Sequence, residues 1–176
     1  MKQAIIKSGV VKPETVPSPF VGKGEVLIKL EYSCISAGTE MNSVNNSGKS
    51  LLRRALDQPE NVKKVIDSMR NDGISKALNK VKSKVEGGNA TGYSISGKVI
   101  GVGAGVEGYK IGQRVAAAGA GFANHAEIVS VPKNLVVHVP DSLDLSEAST
   151  VTLGAIALQG VRRIDVKLGE YVVVVG

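Results

Sequence analysis

The spacing of the apolar residues changes twice along this chain, and that change constrains its fold more than any other feature. Residues 25–32 (EVLIKLEY) alternate: Val26, Ile28 and Leu30 point one way, and Leu27, Lys29 and Glu31 the other. That is the period-two signature of a strand. Residues 3–7 (QAIIK) form a short apolar run of the same class, followed by Pro13, Pro17, Pro19 and the turn Gly22-Lys23-Gly24. From about 50 to 86 the spacing becomes helical. Val62, Val65, Ile66 and Met69 share one face, Gly73 interrupts it, and Ile74, Ala77, Leu78, Val81 and Val85 repeat it. Asp57 can cap this unit, with Pro59 in its first turn, and Gly87-Gly88 ends it. Strand-like segments then return at 93–102, 126–132 and 135–140. The pattern predicts a mainly β (α+β) body over 1–40 and 89–150, with a helical insertion at 41–88.

The last segment reads differently. Residues 141–147 (DSLDLSE) form a turn, and Ser146 is the expected cap of a helix over 147–162 with Glu147 in its first turn. Tyr171 to Val175 is an unbroken apolar run, as in a strand buried on both faces of a parallel sheet. Gly101, Gly103, Gly105 and Gly108 lie between two strands, where positive φ or a sharp bend is needed. They do not read as a phosphate cradle, because no helical pattern follows that could aim N–H groups at a phosphate.

Composition removes several classes of function. Cys34 is the single cysteine, so no internal disulfide and no four-cysteine zinc lobe can form. One thiol, a start too short and polar for a signal peptide, and no apolar run of membrane-spanning length predict a cytoplasmic protein. Aromatic residues are 3% and Trp is absent, so stacking on single-stranded nucleic acid has no platform. The net charge of +6 is concentrated: residues 49–86 hold ten Lys/Arg against five acids. Such a segment is a solvated helical face or an attractor of phosphates and acidic partners. A nucleic-acid partner is not expected.

Three stretches carry a resemblance: GKGEVLIKLEYSCISAGTE (22–40), NATGYSISGKVIGVGAGVEGYKIGQRV (89–115) and FANHAEIVSVPKNLVVHVPDSLDLSEAST (122–150). In this order the chain resembles the N-terminal GroES-like domain of medium-chain dehydrogenases/reductases, the alcohol dehydrogenase and quinone reductase superfamily. TLGAIALQGV (152–161) looks like the helix leading into that family's nucleotide-binding half. VVVVG looks like its first Rossmann strand and the first glycine of the phosphate loop, which makes Gly176 the candidate cofactor-binding residue. The resemblance implies a partly open β-barrel as substrate-side domain over 1–150 and a truncated Rossmann domain beginning at 151–176. It also implies NAD or NADP in the intact protein. The residues that would choose between them lie beyond Gly176.

Zinc-dependent members carry a cysteine ligand after the EVLIKLEY-like strand. Laid on that pattern, Ser36 takes the ligand position and Cys34 falls two residues early. Two residues along a strand displace the sulfur by roughly 6.6 Å, far beyond a Zn–S bond of about 2.3 Å. The family's Gly-His-Glu motif is here Gly92-Tyr93-Ser94, and the third ligand position falls near Leu153. His125, in the ANHAE turn, and His138, in the LVVHVP strand, read as surface or core histidines. The resemblance therefore implies a member without catalytic zinc, and no metal-binding residue is assigned.

Hydride transfer without a Lewis acid needs another group to steady a developing oxyanion and move a proton. The candidate catalytic residues are Ser36, Thr39, Glu40 and Tyr93, with Ser94 beside them. The SAGTE string looks like the corresponding segment of bacteriochlorophyllide dehydrogenase-type members. Glu40 could act as acid/base or bind a substrate hydroxyl. Alternatively, Gly38-Thr39-Glu40 turns and caps the next helix, with Thr39 or Glu40 bonding backbone N–H groups. The expected function is the substrate side of an NAD(P)-dependent oxidoreductase interconverting an alcohol and a carbonyl on a small molecule, acidic or phosphorylated if the basic insertion contributes. The other reading is a non-enzymatic GroES-like binding or assembly module. These 176 residues alone are expected to be inactive, and to form a homo-oligomer if residues 171–175 pair as an exposed edge.

Overall fold

The computed structural model describes residues 1–48 and 87–175. The helices expected between 50 and 86, with their basic face, lie outside the described residues, as does Gly176.

Two antiparallel sheets form the body. One has the order β2-β1-β4, from β1 (Lys2–Lys7), β2 (Val10–Thr15) and β4 (Asn89–Ala90). The other has the order β7-β3-β5-β6-β8, from β3 (Glu25–Ser33), β5 (Ser94–Val102), β6 (Arg114–Ala118), β7 (Ile128–Pro132) and β8 (Val136–His138). A bridge between Gln3 and Ala126 and a bond from Glu127 N to Lys2 O tie the sheets into a partly open barrel. The core follows from alternation. Val26 and Ile28 of β3 meet Ile95 and Val99 of β5, Val115 and Ala117 of β6, and Val129 and Val131 of β7. Ala116, between Val115 and Ala117, faces the opposite way, onto Val139, Leu145 and Ala148.

The glycine-rich stretch serves the barrel. Gly105 and Gly108 have φ of +78° and +90°, and the chain passes from them through turns into β6 without a helix. A Cβ on Gly103 would lie 1.9 Å from the Gly22 carbonyl oxygen, so close backbone approach requires glycine there.

Three elements depart from the sequence expectation. β2 carries Pro13, yet it is a strand, because it lies at a sheet edge where a missing N–H breaks no central ladder. The helix expected over 147–162 from a Ser146 cap begins earlier and is broken in two. Asp144 is the cap of α2 (Leu145–Ala148), accepting from Ser146 N at 2.7 Å, and α3 spans Val151–Ile164. At the break, the Ser149 and Thr150 hydroxyls donate to the carbonyls of Ser146 and Glu147. Tyr171 to Val175, expected as a strand, pairs with no strand among the described residues and lies exposed. Its backbone has no neighbouring ladder to join among the described residues. No helix among the described residues is long and apolar enough to cross a membrane.

Candidate functional site

β3 ends at Ser33, and α1 (Ala37–Gly48) turns away from it with Glu40 in its first turn. The Glu40 N–H donates to the Ser36 carbonyl at 2.9 Å, which closes that turn. The Ser36 hydroxyl donates to Thr39 Oγ1 at 3.3 Å, long for a bond between hydroxyls. Helix α1 buries no residue completely, and its Asn42, Asn45, Asn46, Ser43 and Ser47 are weak helix formers. Its contacts with β1 and β2 hold it to the barrel, and the Gly9 N–H donates to Ser47 Oγ at 2.8 Å.

A cleft of about 220 Å³ opens between this helix, β4 and the turns at 91–93 and 120–121. Thr39, Glu40, Ser43, Asn89, Thr91 and Tyr93 supply its polar walls. Of the expected catalytic residues, the structure thus gathers Thr39, Glu40 and Tyr93 in one cleft. Ser36 stands behind Thr39, outside the lining. Ser94 is fully buried and turned the other way: its hydroxyl donates to the Ser149 carbonyl at 2.6 Å and accepts from Thr152 N at 3.2 Å.

Among the described residues, the Glu40 carboxylate bonds no backbone N–H group. Its Oε1 lies 2.9 Å from His125 Nε2, with the two side chains only 15% and 12% exposed. His125, read from sequence as an ordinary surface or core histidine, is the partner of the most pointed acidic candidate. The backbone fixes it from both sides: His125 N donates to the Thr91 carbonyl, and the His125 carbonyl accepts from Ala4 N, each at 2.8 Å. Gly92 makes room for it. With φ of +102°, a Cβ there would lie 2.5 Å from His125 N and 2.9 Å from its Cγ. An ionised carboxylate only accepts hydrogen bonds, so the proton between the two belongs on Nε2. His125 Nδ1 and the neighbouring Asn124 Oδ1 are buried without a hydrogen-bond partner among the described residues.

Nothing local could have revealed this pair, because 85 residues separate its members. The available signal was indirect: a histidine just ahead of β7, and a glycine where that histidine's backbone passes. His138 serves elsewhere, its ring stacked on Tyr109 with centroids 4.6 Å apart.

The zinc positions of the resemblance are filled by a hydroxyl (Ser36), a phenol (Tyr93) and a hydrocarbon (Leu153), a donor set that does not fit zinc's nitrogen and sulfur preference. Among the described residues, no three His, Cys, Asp or Glu side chains are grouped to hold a metal ion. Nor do they hold a glycine-rich turn opening a helix, the cradle a dinucleotide would need.

No family model matches the chain, and no curated protein matches it. Solved structures do. A quinone oxidoreductase from Coxiella burnetii superposes with a TM-score of 0.67 at 23% identity, over 97% of this chain and 47% of its own. A mycobacterial protein complexed with NADPH gives 0.65 at 21% identity, over 97% and 44%. The 2R,3R-butanediol dehydrogenase of Bacillus subtilis gives 0.60 at 23%, over 92% and 46%. The chain thus spans about half the length of the structures it matches. At these identities the likeness establishes the fold alone: the partly open barrel is the architecture that this chain shares with about half of each of those structures.

Proposed function

We propose that these residues are the substrate side of an NAD(P)-dependent oxidoreductase that interconverts an alcohol and a carbonyl without catalytic zinc. The shared fold supports the class, since the proteins it matches include a quinone oxidoreductase, a butanediol dehydrogenase and a protein complexed with NADPH. One observation carries the site: a carboxylate, Glu40, lines the cleft and is held from behind by an imidazole. Bound nicotinamide would supply the hydride chemistry, and Gly176 with residues beyond it would hold that group. The alcohol proton is left to this chain. Glu40 accepts it or returns it, Thr39 and Tyr93 line the space in which the oxygen sits, and His125 fixes the carboxylate.

The exposed tail favours this reading over a free-standing binding module, because Val173, Val174 and Val175 present apolar surface for which an attached half gives cover. In this division of labour the 176 residues alone bind NAD(H) and NADP(H) no more tightly than about 100 μM, roughly −5.5 kcal/mol. Supplied with a nucleotide-binding half, they turn over small alcohols with NAD(P), read by nicotinamide absorbance. Tighter binding by the chain alone overturns the division, and no turnover with cofactor bound overturns the function. Elemental analysis is expected to find well under one zinc per chain, and stoichiometric zinc would refute the metal-free assignment.

A further inference from the structure

We propose that the cleft recognises an uncharged hydroxyl compound, whose O–H donates to Glu40 Oε2, and that His125 is the positioning residue that presents this oxygen. The proposal rests on the reading of the cleft as a substrate side and narrows its ligand class. The carboxylate's two oxygens are not equivalent. Oε1 is engaged by His125 Nε2, while Oε2 has no partner among the described residues. A ligand therefore meets one oriented acceptor. An anionic ligand is disfavoured at this wall. No Lys or Arg is among the described lining residues, so a phosphate or carboxylate beside Glu40 would gain no compensating charge from them. The other polar side chains of the lining are hydroxyls and an amide, Thr39, Ser43, Thr91, Tyr93 and Asn89, which can both give and accept hydrogen bonds, and Ile6, Ala90 and Ala120 are its apolar part. The volume of about 220 Å³ limits the occupant to a small molecule, since drug-sized ligands need about 300 Å³ or more.

The arrangement of His125 supports its positioning role. Backbone bonds on both sides and the absence of a side chain at Gly92 leave the imidazole little freedom. Its Nδ1 is buried without a partner among the described residues, so the bond to Glu40 is the one that fixes the ring's tautomer. No charge relay to solvent through Nδ1 is implied.

Nitrogen-15 NMR of the imidazoles tests the proposal on this chain, which has two histidines, and His138→Gln identifies the signals of the other. His125 is expected as the Nε2–H tautomer, and Glu40→Ala should release it to a mixture. Titration with 1,2-propanediol should give a saturable shift of the His125 signals. Inorganic phosphate should give none, and propylamine should bind more weakly than the diol. Glu40→Gln and His125→Phe are each expected to weaken the diol by about tenfold or more, as for loss of a hydrogen bond to a charged group. His125→Gln, which keeps a donor, should restore most of that loss, an outcome a purely structural histidine would not show. An Nδ1–H tautomer, ring signals indifferent to Glu40→Ala, or tighter binding of phosphate or amine would each overturn the proposal. No cofactor or turnover enters these measurements, so their failure leaves the oxidoreductase reading standing, and failure of the turnover assay leaves the pair standing.

Discussion

Val99 and Val173 are the same residue in the same kind of apolar, glycine-bounded stretch, yet Val99 is fully enclosed and Val173 is 84% exposed. Val99 lies in β5, paired to β3 on one edge and β6 on the other. Val173 follows α3 with no strand beside it among the described residues. The comparison separates two things that β propensity confounds. Branched side chains favour extended backbone, but a strand also needs a neighbour for its N–H and C=O groups and a face to bury.

The strongest way to break this contrast is to truncate one side chain on each side of it. Ile95→Ala, in the enclosed core, should cost about 2–5 kcal/mol of unfolding free energy. Val173→Ala should stay within about 0.5 kcal/mol. Urea denaturation of both variants decides it, and a comparable loss at Val173 would show that the tail is covered in solution. Next comes the site itself. Gly92→Ala combines a positive φ with overlap on His125, and should cost about 1–3 kcal/mol while disturbing the His125 ring signals. Unchanged signals with full stability would mean that the histidine is not held as described.

Smaller effects sharpen where the enclosed region ends. The Tyr109 hydroxyl donates to the Val136 carbonyl at 2.6 Å, and burial raises its phenol above the usual range. Tyr109→Phe should therefore cost about 1 kcal/mol in thermal or urea unfolding. Because folding favours the protonated phenol, its contribution is complete below the ordinary tyrosine range and fades as pH rises through the raised folded value. At the border stands Asp144, whose carboxyl is held below its usual range by bonds from the Ser146 hydroxyl and then the Ser146 N–H. A lowered carboxylate stabilises above its ordinary range and loses that contribution as pH falls through the folded value. The melting temperature of Asp144→Ala should fall below that of the parent at pH 7, and the gap should close under strongly acidic conditions.

How much of this could be read in advance depended on whether the deciding contact was local. The alternation of Val26 with Ile28 and the closely spaced glycines near Gly103 gave β3 and the β5–β6 loop, because strand period and turn chemistry are written within a few residues. β6 was not separated from its glycine-rich approach, since RVAAA has one branched residue and its burial comes from strands on either side. β2 was hidden by Pro13, which only an edge position excuses. At the site, Thr39, Glu40 and Tyr93 were nominated from a string and a motif, and the cleft holds all three. His125 carries no such local signal, because its partner lies 85 residues away and nothing in ANHAE indicates which wall it faces.

The hydroxyl of Ser94 has a mechanical consequence. It bonds both the Ser149 carbonyl and the Thr152 N–H, while the Thr152 hydroxyl donates to the Tyr93 carbonyl at 3.1 Å. The Ser96 hydroxyl adds a bond to the Leu145 carbonyl. The root of α3 is thus bolted to the strand whose preceding residue forms a wall of the cleft, while the rest of that helix projects outward like a handle. Tyr93, a wall of the cleft, is therefore joined to the root of that helix by a direct hydrogen bond.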